Sequence, residues 1–187
     1  MSALVFVMVG TDHHPFDRLV DWVDDAARRR PDTRFVVQHG DSKAPRVAEG
    51  HSFLPHQRIG ELLGEAASAV CHGGPGTIMD ARDAGHVPIC VPRDPTLGEH
   101  VDGHQQRFAA LVHRAGVVTR AETVLDFRAA LDEVLAKSVE GRASARPTSS
   151  ATEAARASLA HELDQLLIPR PRGPRWGRSL PVAGNSR

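Results

Sequence analysis

The stretch Ala69-Val70-Cys71-His72-Gly73-Gly74-Pro75-Gly76-Thr77-Ile78 decides what kind of fold this chain adopts. Three apolar residues, a turn of glycines and a proline suited to the first position of a helix predict a strand-to-helix connection. Glycines let such a turn bend sharply and bring backbone N–H groups close to a ligand. The helix beyond it, read over 77–84 with Gly85 ending it, presents unpaired amides and a positive dipole end to an anion. A phosphate is the natural occupant, and the Thr77 hydroxyl could donate to one of its oxygens. The bland alternative is a tight turn that holds nothing. No Lys follows the last glycine, which excludes a Walker loop, and the turn does not open the first βαβ unit as a dinucleotide fingerprint does.

Outward from this turn, strands and helices alternate. Residues 3–9 are a continuous apolar run, as a strand buried on both faces requires. Phe16, Leu19, Val20, Val23 and Ala27 recur at helical spacing and place a helix over 16–29, which runs into Arg28-Arg29-Arg30 and stops at Pro31. Phe35-Val36-Val37-Gln38 is the second strand. Residues 41–50 are polar and read as a loop, and Phe53-Leu54 as a very short strand or strand end. Ile59, Leu62, Leu63 and Ala66 mark a helix from Gln57. After the glycine turn come a strand over 87–91, a long loop from Pro92 to Gly103, a helix over 105–113, a short strand at Val117-Val118 and a closing helix from Val124 to Leu135. The pattern is α/β, a doubly wound parallel sheet.

That domain is expected over 1–137. Residues 138–152, rich in Ser, Ala, Arg, Pro and Thr, read as a linker. Leu159, Leu163, Leu166 and Leu167 predict a short amphipathic helix over 153–167, and 168–187 is a basic Pro/Gly/Arg-rich tail expected to be flexible and disordered alone. The formal net charge of zero hides an asymmetry: 15 basic against 19 acidic side chains in 1–137, and 8 against 4 in 138–187. At 187 residues the chain suffices for one well-cored domain, not for two nucleotide-type domains. No apolar run reaches the roughly 18 residues of a membrane-spanning helix, and the apolar start lacks a basic leader. Cys71 and Cys90 fall in strands and read as buried thiols.

Further residues carry possible chemistry. Asp80, one turn beyond Thr77, could accept hydrogen bonds from a vicinal diol such as a ribose, though Asp is also favoured early in a helix by the dipole. In Glu99-His100-Val101-Asp102-Gly103-His104-Gln105-Gln106, Asp102 could cap the next helix, while His104 and Gln105 suit sugar hydroxyls. His100 and His104 are four apart, as metal ligands can be, but Gly103 interrupts the turn and no third ligand is evident, so no metal site is expected. His13 and His14 should lie on the same sheet edge, without an evident carboxylate partner. There is no serine elbow and no cysteine placed as an exposed nucleophile, which argues against a covalent mechanism.

His72-Gly73-Gly74-Pro75-Gly76-Thr77, then Asp80, Gly85, Pro88, Pro92 and His104-Gln105 resemble the donor-binding C-terminal domain of the UDP-N-acetylglucosamine transferases of peptidoglycan synthesis. The small size, the run from Gly98 to Gln105 and the start Val9-Gly10-Thr11 with Phe16-Asp17-Arg18-Leu19-Val20 are similar to the small catalytic-type subunit of two-component dolichol-linked and bacterial exopolysaccharide glycosyltransferases. The resemblance, over about 1–137, implies a single Rossmann-like half of a GT-B glycosyltransferase. It implies that Gly74, Pro75, Gly76 and Thr77 hold the donor diphosphate and that Asp80 binds the ribose where the family usually has a longer Glu. It further implies that His104 and Gln105 bind the donor sugar, and that Phe53, Leu54 and Ile59 frame the uracil. UDP-sugar is then a substrate, with no cofactor and no metal. A lipid-linked acceptor and a membrane-associated partner subunit complete the enzyme at the inner face of the membrane, the chain itself being cytoplasmic and binding no nucleic acid. No base is evident beyond His13 and His14, and the partner is the expected source. The alternative is a non-catalytic module that binds a sugar nucleotide or phosphosugar.

Overall fold

The computed structural model describes residues 2–141. The chain order is β1 (Ala3–Met8), α1 (Asp17–Arg29), β2 (Thr33–Gln38), β3 (Glu49–His51), α2 (His56–Glu65), β4 (Ser68–Cys71), α3 (Pro75–Asp83), β5 (Ile89–Cys90), a 3-10 turn (Pro95–Leu97), α4 (His104–Arg114), β6 (Thr119–Arg120) and α5 (Val124–Gly141). The six strands form one sheet in the order β3-β2-β1-β4-β5-β6, every pairing parallel.

The run at β1 supplies both faces of that sheet because side chains alternate along a strand. Val5, Val7 and Val9 join Phe16, Leu19, Val20 and Val23 of the α1 region and Phe127 and Leu131 of α5 in one core layer. Leu4, Phe6 and Met8 join Leu62 and Leu63 of α2, Ile78 and Ala81 of α3, and Ala109 and Val112 of α4 in the other. This is the doubly wound α/β arrangement. Cys71 and Cys90 are register partners in β4 and β5, both buried and unbridged. A hydrogen bond with Cys90, followed by burial, pushes the Cys71 thiol well above its usual range.

Two strands lie elsewhere than the apolar pattern puts them. The third is Glu49-Gly50-His51, inside the stretch read as a loop, and Phe53-Leu54 follow it outside any strand. An edge strand needs backbone partners rather than apolar side chains. Here His39 and Gly40 N–H donate to the His51 and Ser52 carbonyls, and the buried Asp24 carboxylate accepts from the N–H groups of Arg46, Val47 and Ala48 just before β3. The last strand is Thr119–Arg120, because Val117 and Val118 are consumed in the core at the turn leaving α4. Helix α5 runs to Gly141, into the stretch read as a linker. The linker beyond 141, the helix expected over 153–167 and the tail over 168–187 lie outside the described residues.

Candidate functional site

Between β3 and β4 the chain crosses back past β2 and β1, so the strand order reverses at the β1–β4 pair. In open α/β sheets the crevice beyond the strand C-termini at such a switch is where ligands bind. The loops leaving β1, β4 and β5 converge there.

The β4 loop carries the glycines. Gly74 is the N-cap of α3, with φ −83° and ψ 133°, and Pro75 is the first helical residue. No side chain caps this helix, so its first-turn amides remain open to an anion. The glycines do not serve a left-handed backbone; the positive-φ glycines are Gly10, Gly40, Gly85, Gly98 and Gly116. Their role is close approach. A Cβ on Gly73 would lie 3.0 Å from Gln105 Cβ, and one on Gly74 would collide with the His72 ring. Gly76 has open space where its Cβ would be. The Thr77 hydroxyl donates to the Gly74 carbonyl at 3.0 Å and is engaged within the turn.

The His72 imidazole is wedged between Gly10 and Gly74. Burial, then the charge of Arg93, holds its pKa down at about 4, so the ring is neutral near pH 7. Arg93 is fully buried and braces two of the three loops: its guanidinium donates to the carbonyls of Val9 and Glu99, each at 2.9 Å, and to that of His14. Beside it, Arg18 forks onto the buried Glu99 carboxylate at 2.8 and 2.7 Å, and Glu99 also accepts from the Asp94 N–H. Glu99 thus orders the 92–103 loop. Arg93 and Arg18 escaped the sequence reading because the groups they hold, the Val9 and His14 carbonyls and the Glu99 carboxylate, lie mostly far from them in sequence.

His13 and His14 do have a carboxylate, two residues back in the chain for His14. Asp12 Oδ1 lies 2.6 Å from His14 Nδ1 and accepts the His14 N–H at 2.8 Å. Its other oxygen is 3.2 Å from His100 Nε2. Burial raises the Asp12 pKa, but the His14 hydrogen bonds and the Arg93 charge outweigh it and bring it to about 2. His13 is 83% exposed in its side chain and His14 23%. Asp102 lies one residue before the N-cap Gly103 of α4, yet its carboxylate accepts the His104 N–H at 2.9 Å and also meets His104 Nδ1.

Gln105 is buried at the start of α4, its Oε1 without a partner. A cleft of about 540 Å³ runs from Gly73 and Pro75 along the His104, Phe108 and Leu111 side of α4. Asp80 is half-buried along α3. Phe53 is exposed beyond β3, whereas Leu54 and Ile59 pack on the second core layer. Of the residues singled out in the sequence, the structure brings Gly74, Pro75, His104 and Gln105 together at one mouth. Phe53 and Leu54 stand at the β3–α2 connection and Ile59 in α2.

No helix among the described residues is long and apolar enough to cross a membrane. No curated protein sequence matches the chain. Among solved structures, the glycotransferase of kitacinnamycin is similar in fold, at 21% identity and a TM-score of 0.58, over 90% of this chain and 44% of that one. CalG4, the calicheamicin glycosyltransferase, is similar at 17% identity and a TM-score of 0.54, over 88% and 42%. The chain therefore spans less than half the length of either structure, and it matches their GT-B-type glycosyltransferase fold as one Rossmann-like half. A family model, that of the glycosyltransferase family 28 C-terminal domain, matches residues 4–163. With that match over most of its length, the chain belongs to the family of glycosyltransferase family 28 C-terminal domains.

Proposed function

We propose that this chain is the donor half of a two-part glycosyltransferase. It takes a UDP-linked sugar and, with a membrane-associated partner subunit at the inner face of the membrane, transfers that sugar to a lipid-linked acceptor in surface or exopolysaccharide synthesis. The observation that carries the reading is the uncapped first turn of α3 at the β1–β4 switch point, in a chain of this family. Supporting it, the chain matches one half of two solved glycosyltransferases, covering 44% and 42% of their lengths.

On this reading the diphosphate sits at Gly74, Pro75, Gly76 and Thr77, the ribose at Asp80, the sugar at His104 and Gln105, and the uracil toward Phe53, Leu54 and Ile59. As the glycosidic bond breaks, charge grows on the departing diphosphate. Amides fixed before the reaction stabilise that charge where it develops, so the reading calls for no cofactor at the phosphates. The neutral His72 beneath the loop adds no repulsion between cations and no competing anion. Of the two local histidines, His14 is the better candidate base. With its Nδ1 held by Asp12, its Nε2 keeps a lone pair for the acceptor proton.

The test is transfer from labelled UDP-sugars to membrane lipid, with and without the product of a neighbouring gene. Turnover with both proteins and none with either alone supports the reading. Tight donor binding with no turnover in any pairing replaces it with a non-catalytic sugar-nucleotide module.

A further inference from the structure

The expectation of no metal site rested on Gly103 interrupting the turn and on a missing third ligand beside His100 and His104; in the fold the Asp102 carboxylate stands between the two rings. His100 Nδ1 lies 4.0 Å from Asp102 Oδ1, and Asp102 Oδ1 meets His104 Nδ1. One ligand atom from each of His100, Asp102 and His104 lies within 4.8 Å of one from each of the others. The rings of His100 and His104 stand edge to face, centroids 4.6 Å apart, and both Nδ1 atoms border the same carboxylate oxygen. Gly103 does not break this arrangement; it ends the loop as the N-cap of α4 and brings His104 back beside Asp102.

A second observation, independent of the triad, concerns the other nitrogen of His100. The His100 side chain is only 9% exposed, and its Nε2 lies 3.2 Å from Asp12 Oδ2, a carboxylate from the β1 loop 88 positions away in sequence. A carboxylate there accepts a hydrogen bond from the Nε2–H and leaves Nδ1 with the ring's lone pair. This is the outer-shell arrangement that orients metal-binding histidines and makes them more basic. The Asp102 N–H, 3.4 Å from His100 Nδ1, also faces that atom as an acceptor.

We infer that His100 Nδ1, Asp102 Oδ1 and His104 Nδ1 form a binding site for a divalent transition-metal ion of the zinc class, with Asp12 as the positioning group behind His100. Two imidazoles and one carboxylate suit a borderline-soft ion rather than magnesium or calcium, which take mostly oxygen. Donors around a tetrahedral zinc stand roughly 3.3 Å apart at bond lengths near 2.0–2.1 Å, so from spacings of up to 4.8 Å closing the site needs shifts of up to about 1.5 Å, available at the exposed Asp102 and His104. Three protein ligands leave one position open to water or a substrate oxygen. Ligation through Nδ1 leaves His104 Nε2 free, so the site adds to the donor-sugar role proposed above without depending on it.

The experiment titrates zinc into the metal-free full-length chain, carrying no histidine tag, against a chromophoric chelator. One equivalent of zinc is expected to bind, with a tenfold or greater preference over magnesium. Asp102→Asn and His104→Ala, at side chains more than half exposed, should weaken binding at least 100-fold without loss of the folded circular dichroism spectrum. Asp12→Asn should weaken it about 10–100-fold. His13→Ala should leave it unchanged. Absence of a stoichiometric complex overturns the inference, as does a complex that survives Asp102→Asn. Loss of zinc in His13→Ala with retention in His104→Ala would instead place the ion on Asp12, His13 and His14, and would equally overturn it. Calorimetry of UDP on the same metal-free chain tests the donor reading separately.

Discussion

The His72 ring occupies the space in which a side chain on Gly74 would begin, and its Cε1 lies 2.6 Å from where a Cβ on Gly10 would sit. One imidazole therefore packs two loops, from β1 and β4, against each other by filling the gap left by two absent side chains. The mouth of α3 keeps its shape because nothing at these positions is larger than hydrogen.

Gly74→Val should displace His72 and turn the first-turn amides away from their common focus. UDP affinity is expected to fall at least tenfold by calorimetry, with the circular dichroism of the sheet retained. Unchanged affinity would show that the nucleotide does not use this loop.

Arg93→Met removes the donor for the carbonyls of Val9, His14 and Glu99. Leaving buried acceptors unpaired is costly, so urea denaturation should report a loss of about 3 kcal/mol. The β1 and β5 loops should loosen together, seen as faster amide exchange at both. A loss under about 1 kcal/mol would mean that the guanidinium is not the brace.

The His72 pKa, about 4 folded against 6.5 in the free side chain, fixes the sign of a pH effect. Between these values the unfolded chain binds the proton and the folded chain does not, so protonation favours unfolding. The stabilisation is complete above pH 6.5 and decays as pH falls toward about 4. Urea midpoints measured from pH 7.5 to 4 should decline less in His72→Gln than in the parent chain. An imidazole resonance titrating near 6.5 would sink this account.

Gln105 separates stability from binding. Its Oε1 is buried without a partner, an arrangement that costs free energy in the empty protein. Gln105→Met should leave the melting temperature unchanged or raise it, while weakening UDP-sugar binding about tenfold and UDP binding little. Equal losses for both ligands would place this amide away from the sugar.

The sequence by itself determined the fold class. The apolar run at 3–9, the spacing of Leu19, Val20 and Val23, and the glycine turn before α3 are local signals, and each answers to strand alternation, helical period or backbone geometry. It also marked the α3 mouth and His104-Gln105, because these lie within a few residues of recognisable element ends. Tertiary structure alone decided the rest. β3 was illegible because an edge strand of Glu, Gly and His is defined by its backbone partners on β2. β6 was misplaced by two residues because Val117 and Val118 signal burial rather than pairing. The bond from Arg93 to the Val9 carbonyl, the Arg18–Glu99 fork and the reach of Asp12 to His100 join residues 81 to 88 positions apart in sequence. Periodicity carries no record of such contacts, since they exist only once the parallel sheet has brought the ends of β1, β4 and β5 to one edge.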